Sequence, residues 1–265
     1  MVRRPLGNDR GFADTRLVAA ETGQTDVVTT ESERLRWLVA RTRHVLFDFD
    51  GPICQLFAGY SAEDIARSQV EWLEAQGRDG LLTEQERFSR DPHGVLSTFA
   101  ARYPGSDLVT DLEGHLTQHE LLAARVALPT AWVDPLIQTW VKTGARLAIV
   151  TNNSPRTVTE YLSSRGLVSC FAPHVYGRKA QELHLLKPHP ETLLRALRAM
   201  GAAPESSLMI GDTVSDYAAA CAAEVSFLGY ARNSVKRREL LDAGVARESI
   251  LSSLEPLLTA VRGHF

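Results

Sequence analysis

The sequence predicts an α/β protein, a doubly wound parallel sheet interrupted by an inserted set of helices. Three observations carry this. From residue 130 onward, short apolar runs alternate with segments of helical period, the rhythm of a parallel sheet with right-handed crossovers. Between 53 and 129 apolar residues recur at helical spacing with no convincing strand, so consecutive helices break that rhythm. The run Val45-Leu46-Phe47 leads into Asp48 and Asp50, then Gly51-Pro52, which reads as a buried strand stopped by a sharp turn.

Residues 1–29 are polar and aperiodic and read as a flexible arm. Thr30 and Glu33 have the spacing of a capping box, opening a helix over 31–42 with Leu35, Trp37, Leu38 and Val39 on its apolar face. After the first strand, Ser61 can cap a helix to about 77, with Ile65, Val70, Trp72 and Leu73 apolar, and Thr83 a second from 84 to the Phe88 region. Val95, Leu96, Phe99 and Tyr103 mark a third helix, and 107–127 a long fourth that ends before Pro129. Trp72, Phe99 and Tyr103 are expected to form the core of this helical segment.

The α/β rhythm then resumes with a helix over 132–142 closed by Gly144 and a strand over 146–150. A helix over 156–165 follows with Gly166 as its C-cap, then a short strand at 175–176. Lys187-Pro188-His189-Pro190 introduces a helix to Met200. A strand over 208–210, an Ala-rich helix to 223, a strand over 225–228 and two helices complete the chain. The division is thus an arm over 1–29, a core from 30–52 and 130–265, and a helical unit over 53–129.

Composition narrows the function. A net charge of −3 leaves no electrostatic footprint for nucleic acid, and no apolar run approaches the length of a membrane span. The basic N-terminus lacks the apolar stretch of a secretory signal. Cys54, Cys170 and Cys221 are odd in number, widely spaced and without a CxxC, as expected for free thiols in a cytoplasmic protein. Cys54 reads as a small packing residue.

Parallel strands put their C-terminal ends on one sheet edge, so four distant segments are expected to converge. The first holds Asp48 and Asp50. The second, Thr151-Asn152, offers a hydroxyl and backbone N–H groups to an oxyanion, although Thr151 to Ser154 also read as a turn and helix cap. The third, Lys187 before Pro-His-Pro, offers a point charge for phosphoryl oxygens, or alone a surface lysine. The fourth, Gly211-Asp212 with Asp216, offers hard oxygens suited to magnesium, and Asp216 also reads as a charge favouring a helix N-terminus.

Together these segments resemble the four motifs of the haloacid dehalogenase-like (HAD) hydrolases, in the family's order and over residues 44–230. The resemblance implies a Rossmann-like core with a helical cap of the first type. It implies Asp48 as a nucleophile that takes a phosphoryl group, and Asp50 as the acid that protonates the leaving alcohol and then activates water. Thr151, Asn152 and Lys187 would hold phosphoryl oxygens. Asp48, the Asp50 carbonyl and Asp212 would hold Mg2+, with Asp216 nearby or bridged by water. The dehalogenase branch lacks the second aspartate, because halide leaves without a proton, so Asp50 points to a phosphatase acting on a small phosphorylated metabolite. A phosphomutase of the same superfamily and a silent binding module are the alternatives; the oligomeric state is open. Thr213 stands where serine is frequent in the family, and Glu224 where many relatives have glycine.

Weaker constellations remain. His115 and His119, four apart with Glu120 adjacent, have a spacing that can bind a metal but read as a solvated helix face. His184 and His189 flank Lys187 and could border the site, with His189 read as a turn residue. Arg67, Arg87, Arg90 and Arg102 are candidates to meet an anionic substrate or ordinary charges of a helix surface.

Overall fold

The computed structural model describes residues 30–264. The arm expected over 1–29 lies outside the described residues. Helix α1 (Glu31–Arg41) opens with the expected capping box, Thr30 accepting from the Glu33 N–H while the Glu33 carboxylate returns to Thr30. It buries Leu35 and Val39, one turn apart. Trp37 corrects the expected apolar face: it falls on the other side of the helix, is exposed, and stacks under Arg41 at 4.2 Å.

Strand β1 (His44–Phe47) is followed by β2 (Cys54–Gln55), then helices α2 (Ala62–Ala75), α3 (Glu84–Arg87), α4 (Pro92–Arg102) and α5 (Asp107–Val126), then β3 (Leu128–Pro129). Ser61, Thr83, Asp91 and Ser106 cap the four helices by accepting backbone N–H bonds. The sequence showed no strand over 53–129, yet β2 and β3 pair antiparallel, Cys54 with Pro129 and Gln55 with Leu128. Two residues carry no alternation to read. This ladder brings the entrance and exit of the helical segment together. The segment has its own core, in which Ile65, Leu73, Leu96, Phe99, Leu112 and Leu116 pack with Leu183 from a later loop. Trp72 and Tyr103 pack at its margin.

Next come α6 (Val133–Lys142), β4 (Arg146–Val150), α7 (Pro155–Arg165), α8 (Val168–Phe171) and β5 (Val175–Tyr176). Then follow α9 (Glu191–Met200), β6 (Ser207–Gly211), α10 (Val214–Ala222), β7 (Ser226–Tyr230), α11 (Ser234–Asp242), β8 (Ile250–Leu251) and α12 (Glu255–Arg262). The one-turn helix α8 and the two-residue strand β8 are too short to leave a period in sequence. Glu224, at the position where many members of the resembled family have glycine, adopts the left-handed conformation at φ +57°.

Six strands form one parallel sheet in the order β5-β4-β1-β6-β7-β8, with β1 between β4 and β6. Alternation along the strands explains why helices cover both faces. Val45 and Phe47, Leu147 and Ile149, Leu208 and Ile210 point to one side, among residues of α1, α6, α7 and α12. Leu46, Ala148, Val150 and Met209 point to the other, against α9 and α10. Phe47 meets Trp140 and Phe171 edge to face, each at 6.2 Å. No helix of the described residues is long and apolar enough to cross a membrane.

Candidate active site

Register places the site. Phe47 lies opposite both Ile149 and Ile210, so Asp48 leaves the sheet level with Val150 and Gly211. Thr151 and Asp212 then follow within one residue of it on either side. The Asp48 N–H still donates to Ile210 O at 2.9 Å, which ties the first residue beyond β1 to β6. Phe49 turns into the core, edge to face with Tyr161 at 5.5 Å. Asp50 is fixed by accepting the Leu56 N–H at 2.8 Å. Gly51 makes the turn at φ +118°, where an added Cβ would stand 2.4 Å from Asp212 Cγ. Glycine thus lets the 48–52 loop and Asp212 approach one another. Gly211 does the same for Asp216, 2.5 Å from where its Cβ would be.

Lys187 is buried at the centre. Its Nζ donates to Asp48 Oδ1 at 2.7 Å, to Val150 O at 2.9 Å, and to Asp216 Oδ1. Burial opposes its charge, but Asp216 and Asp48 outweigh burial and hold the ammonium above the ordinary lysine range. The surface-lysine reading therefore fails. Thr151 is buried and its hydroxyl donates to Asn153 Oδ1 at 3.0 Å. The Asn152 side chain also holds Lys187: its two polar atoms engage the Lys187 backbone, at 3.0 and 2.8 Å. One of the two amide N–H groups is used in this way, and Asn152 lines the same cavity. Asp216 fills its reading as a charge at a helix N-terminus. Its Oδ2 accepts from Thr213 N–H and Oγ1 in a capping box on α10, while Oδ1 meets Lys187.

Oxygens of Asp48, Asp212 and Asp216 lie within 4.8 Å of one another, all buried. Asp212 Oδ1 is buried without a hydrogen-bond partner, and Asp212 Oδ2 is 3.2 Å from Lys236 Nζ. Burial raises the carboxyls of Asp48 and Asp212 to about 7, the nearby Asp216 charge adding to both. Asp50 is raised to about 6, again chiefly by burial. Among the described residues, Asp48, Asp50, Asp212 and Asp216 thus confront only Lys187 and Lys236 as touching cations, a surplus of negative charge that a divalent ion would match. The orphaned Asp212 oxygen, the hard donors and the glycine clearance all fit magnesium. Asp216, with both oxygens engaged, fits a supporting place better than direct ligation.

Asp48, Asp50, Thr151 and Lys187 open on a cavity of about 960 Å3. Its opposite wall is one face of α4 with the start of α5. The four arginines suggested by sequence are not in that wall: Arg67 pairs with Asp64, Arg87 with Glu74, Arg90 with Glu63 and Arg102 with Glu86. His184 does border the cavity, while His189 accepts the Glu191 N–H at a helix start. His115 and His119 are not a solvated pair. They stack at 4.6 Å, Tyr60 bonds His119 Nδ1 at 2.8 Å, and Ser68 approaches both Nε2 atoms.

Several site groups escaped the sequence reading. Glu120 turns away from the histidines and is fully buried. It accepts Ser154 N–H and Asn153 Nδ2, each at 3.0 Å, and meets His93 Nε2 at 3.0 Å. Arg178, from the loop after β5, inserts beneath α5 and bonds Glu113, Thr117 and Glu120. Burial opposes the Glu120 charge, yet Arg178 and the His93 hydrogen bond outweigh it and hold the carboxyl well below its usual range. The only sequence trace was a polar stripe at 113, 117 and 120 on α5, meaningless until its partner was known. Lys236 left no trace.

Known proteins resemble this chain in sequence and in fold. A family model described as haloacid dehalogenase-like hydrolase matches residues 42–224. A phosphoglycolate phosphatase of Xylella fastidiosa is 31% identical over 188 residues, 68% of this chain and 76% of that protein. Another, of Nitrosococcus oceani, is 38% identical over 97 residues, which are 36% of this chain and only 42% of that protein. The crystal structure of a predicted phosphatase from Clostridium acetobutylicum superposes with a TM-score of 0.60 at 16% identity, covering 84% of this chain and 99% of that one.

Proposed function

The chain belongs to the haloacid dehalogenase-like hydrolases and is a phosphatase, and on that premise we propose that it hydrolyses small phosphomonoesters with magnesium through a phosphoaspartate. The observation that carries the reading is the convergence of Asp48, Asp50, Thr151 and Lys187 on one cavity.

Asp48 attacks phosphorus, the P–O bond to the alcohol breaks, and Asp50 gives its proton to the departing oxygen. Burial, which raises Asp50 to about 6, suits it to hold that proton near neutrality. Asp50, now ionised, takes a proton from water as the water oxygen attacks phosphorus. Inorganic phosphate leaves and the Asp48 carboxylate returns. Lys187 and the Thr151 hydroxyl offset charge on the phosphoryl oxygens, with Asn152 holding Lys187 in register. Magnesium, held by Asp48, the Asp50 carbonyl and Asp212 with Asp216 in support, would supply the positive charge that lets an anionic nucleophile meet an anionic ester.

Helices α2–α5, within 53–129, act as a cap that excludes water and favours small substrates over folded macromolecules. The three cysteines are free thiols, in keeping with a cytoplasmic enzyme. Relatives named as phosphoglycolate phosphatases put phosphoglycolate in the first substrate panel. The test is phosphate release from such a panel with magnesium, with chelator, and by Asp48→Asn. Turnover lost in both controls supports the reading. Turnover that survives Asp48→Asn overturns it, and isomerised product without free phosphate would indicate a mutase.

A further inference from the structure

We infer that the alcohol this site releases is uncharged and carries an apolar body, in contrast to the carboxylated alcohol of phosphoglycolate; the inference rests on the phosphatase reading. The wall opposite Asp48 and Asp50 is a graded helix face. His93 and Ser97 lie toward the start of α4, and Ala100 and Ala101 one to two turns further on. Seven residues separate His93 from Ala100, about 10 Å of helix. Pro104, Val109, Leu183 and Leu186 continue the apolar end. A cavity of about 960 Å3 lies at the upper end of the ~300–1,000 Å3 typical of small-molecule sites, far more than a two-carbon alcohol fills beyond its phosphate.

Charge points the same way. A substrate carboxylate buried here would need a cation of its own. Among the described residues no arginine lines the cavity. Its two lysines are engaged, Lys187 with Asp48 and Asp216, and Lys236 with Asp212, and His184 lies exposed to solvent at its border rather than buried. The His93 Nε2 faces Glu120 at 3.0 Å rather than the cavity. Asp91, at the start of α4, adds a negative charge to the wall. The apolar end gains from burying hydrocarbon away from water. Ser97 offers the polar part of the same face a hydroxyl that suits an alcohol rather than a carboxylate.

The test compares kcat/KM of the full chain with magnesium for 2-phosphoglycolate, its neutral counterpart 2-hydroxyethyl phosphate, and 3-phenylpropyl phosphate. The expected order is phenylpropyl above hydroxyethyl above phosphoglycolate, with at least tenfold between the ends. Ser97→Arg should raise the phosphoglycolate-to-hydroxyethyl ratio at least tenfold. Ala101→Phe should lower the phenylpropyl-to-hydroxyethyl ratio by a similar factor. Phosphoglycolate equal to or better than both neutral esters in wild type overturns the inference. If no ester is hydrolysed, the phosphatase reading fails separately. Calorimetric titration of the same three esters then decides the preference, with tighter phosphoglycolate binding overturning it.

Discussion

Arg178 Nη1 donates to Glu120 Oε1 at 2.7 Å, and this fully buried ion pair joins the loop after β5 to helix α5. Each charge is satisfied only by the other and its neighbours, so removing one strands its partner. Arg178→Met should destabilise the protein by about 3–5 kcal/mol in chemical denaturation. Adding Glu120→Gln to it should recover much of that loss. A single variant within about 1 kcal/mol of wild type would show that the pair does not hold helix and sheet together.

Asp50→Asn should separate the two halves of turnover. p-Nitrophenolate leaves without a proton, so the first half survives while water activation fails. Rapid mixing with p-nitrophenyl phosphate should show a burst of about one equivalent, then turnover at least ~100-fold slower than wild type. A steady wild-type rate without a burst would remove Asp50 from the second step.

The pH profile follows from the same carboxyl. Burial raises Asp50 to about 6, and its acid form protonates an alkoxide. For alkyl esters kcat/KM should fall as pH rises through that range, because the proton is lost. The fall should flatten for p-nitrophenyl phosphate. An equal alkaline limb for both substrates would assign it to another group.

Gly51→Ala tests the clearance around Asp212. The new Cβ would stand 2.4 Å from Asp212 Cγ at a φ of +118°. The magnesium concentration for half-maximal activity should rise at least tenfold, and stabilisation of the folded chain by magnesium in thermal denaturation should shrink. Unchanged magnesium dependence would mean that Asp212 does not hold the ion.

His115 makes stability depend on pH. Burial, with the neighbouring His119 charge, lowers it from 6.5 to about 4. Between these values the unfolded chain binds the extra proton, so stability rises with pH across the window and is complete above it. His115→Gln should flatten that slope, by roughly 1 kcal/mol once solvent screening of a half-exposed ring is discounted. An identical slope in the variant would exclude His115 as its source.

The sequence by itself determined the alternating elements, the helical interruption, three strand ends with their acids and threonine, and the lysine before Pro-His-Pro. Each is a local signal. A strand over 146–150, caps at Thr30, Ser61 and Thr83, and a glycine beside an aspartate all act on residues a few positions apart. Only the tertiary structure decided what lies across a gap. It sent Trp37 to solvent, engaged the Asn152 amide with Lys187, and paired the four candidate arginines with carboxylates away from the cavity. It also buried Glu120 against Arg178, 58 positions along the chain, and set Lys236 on Asp212. The physical reason is that hydrogen bonds and ion pairs act over a few ångströms, and packing alone determines which distant residues come that close.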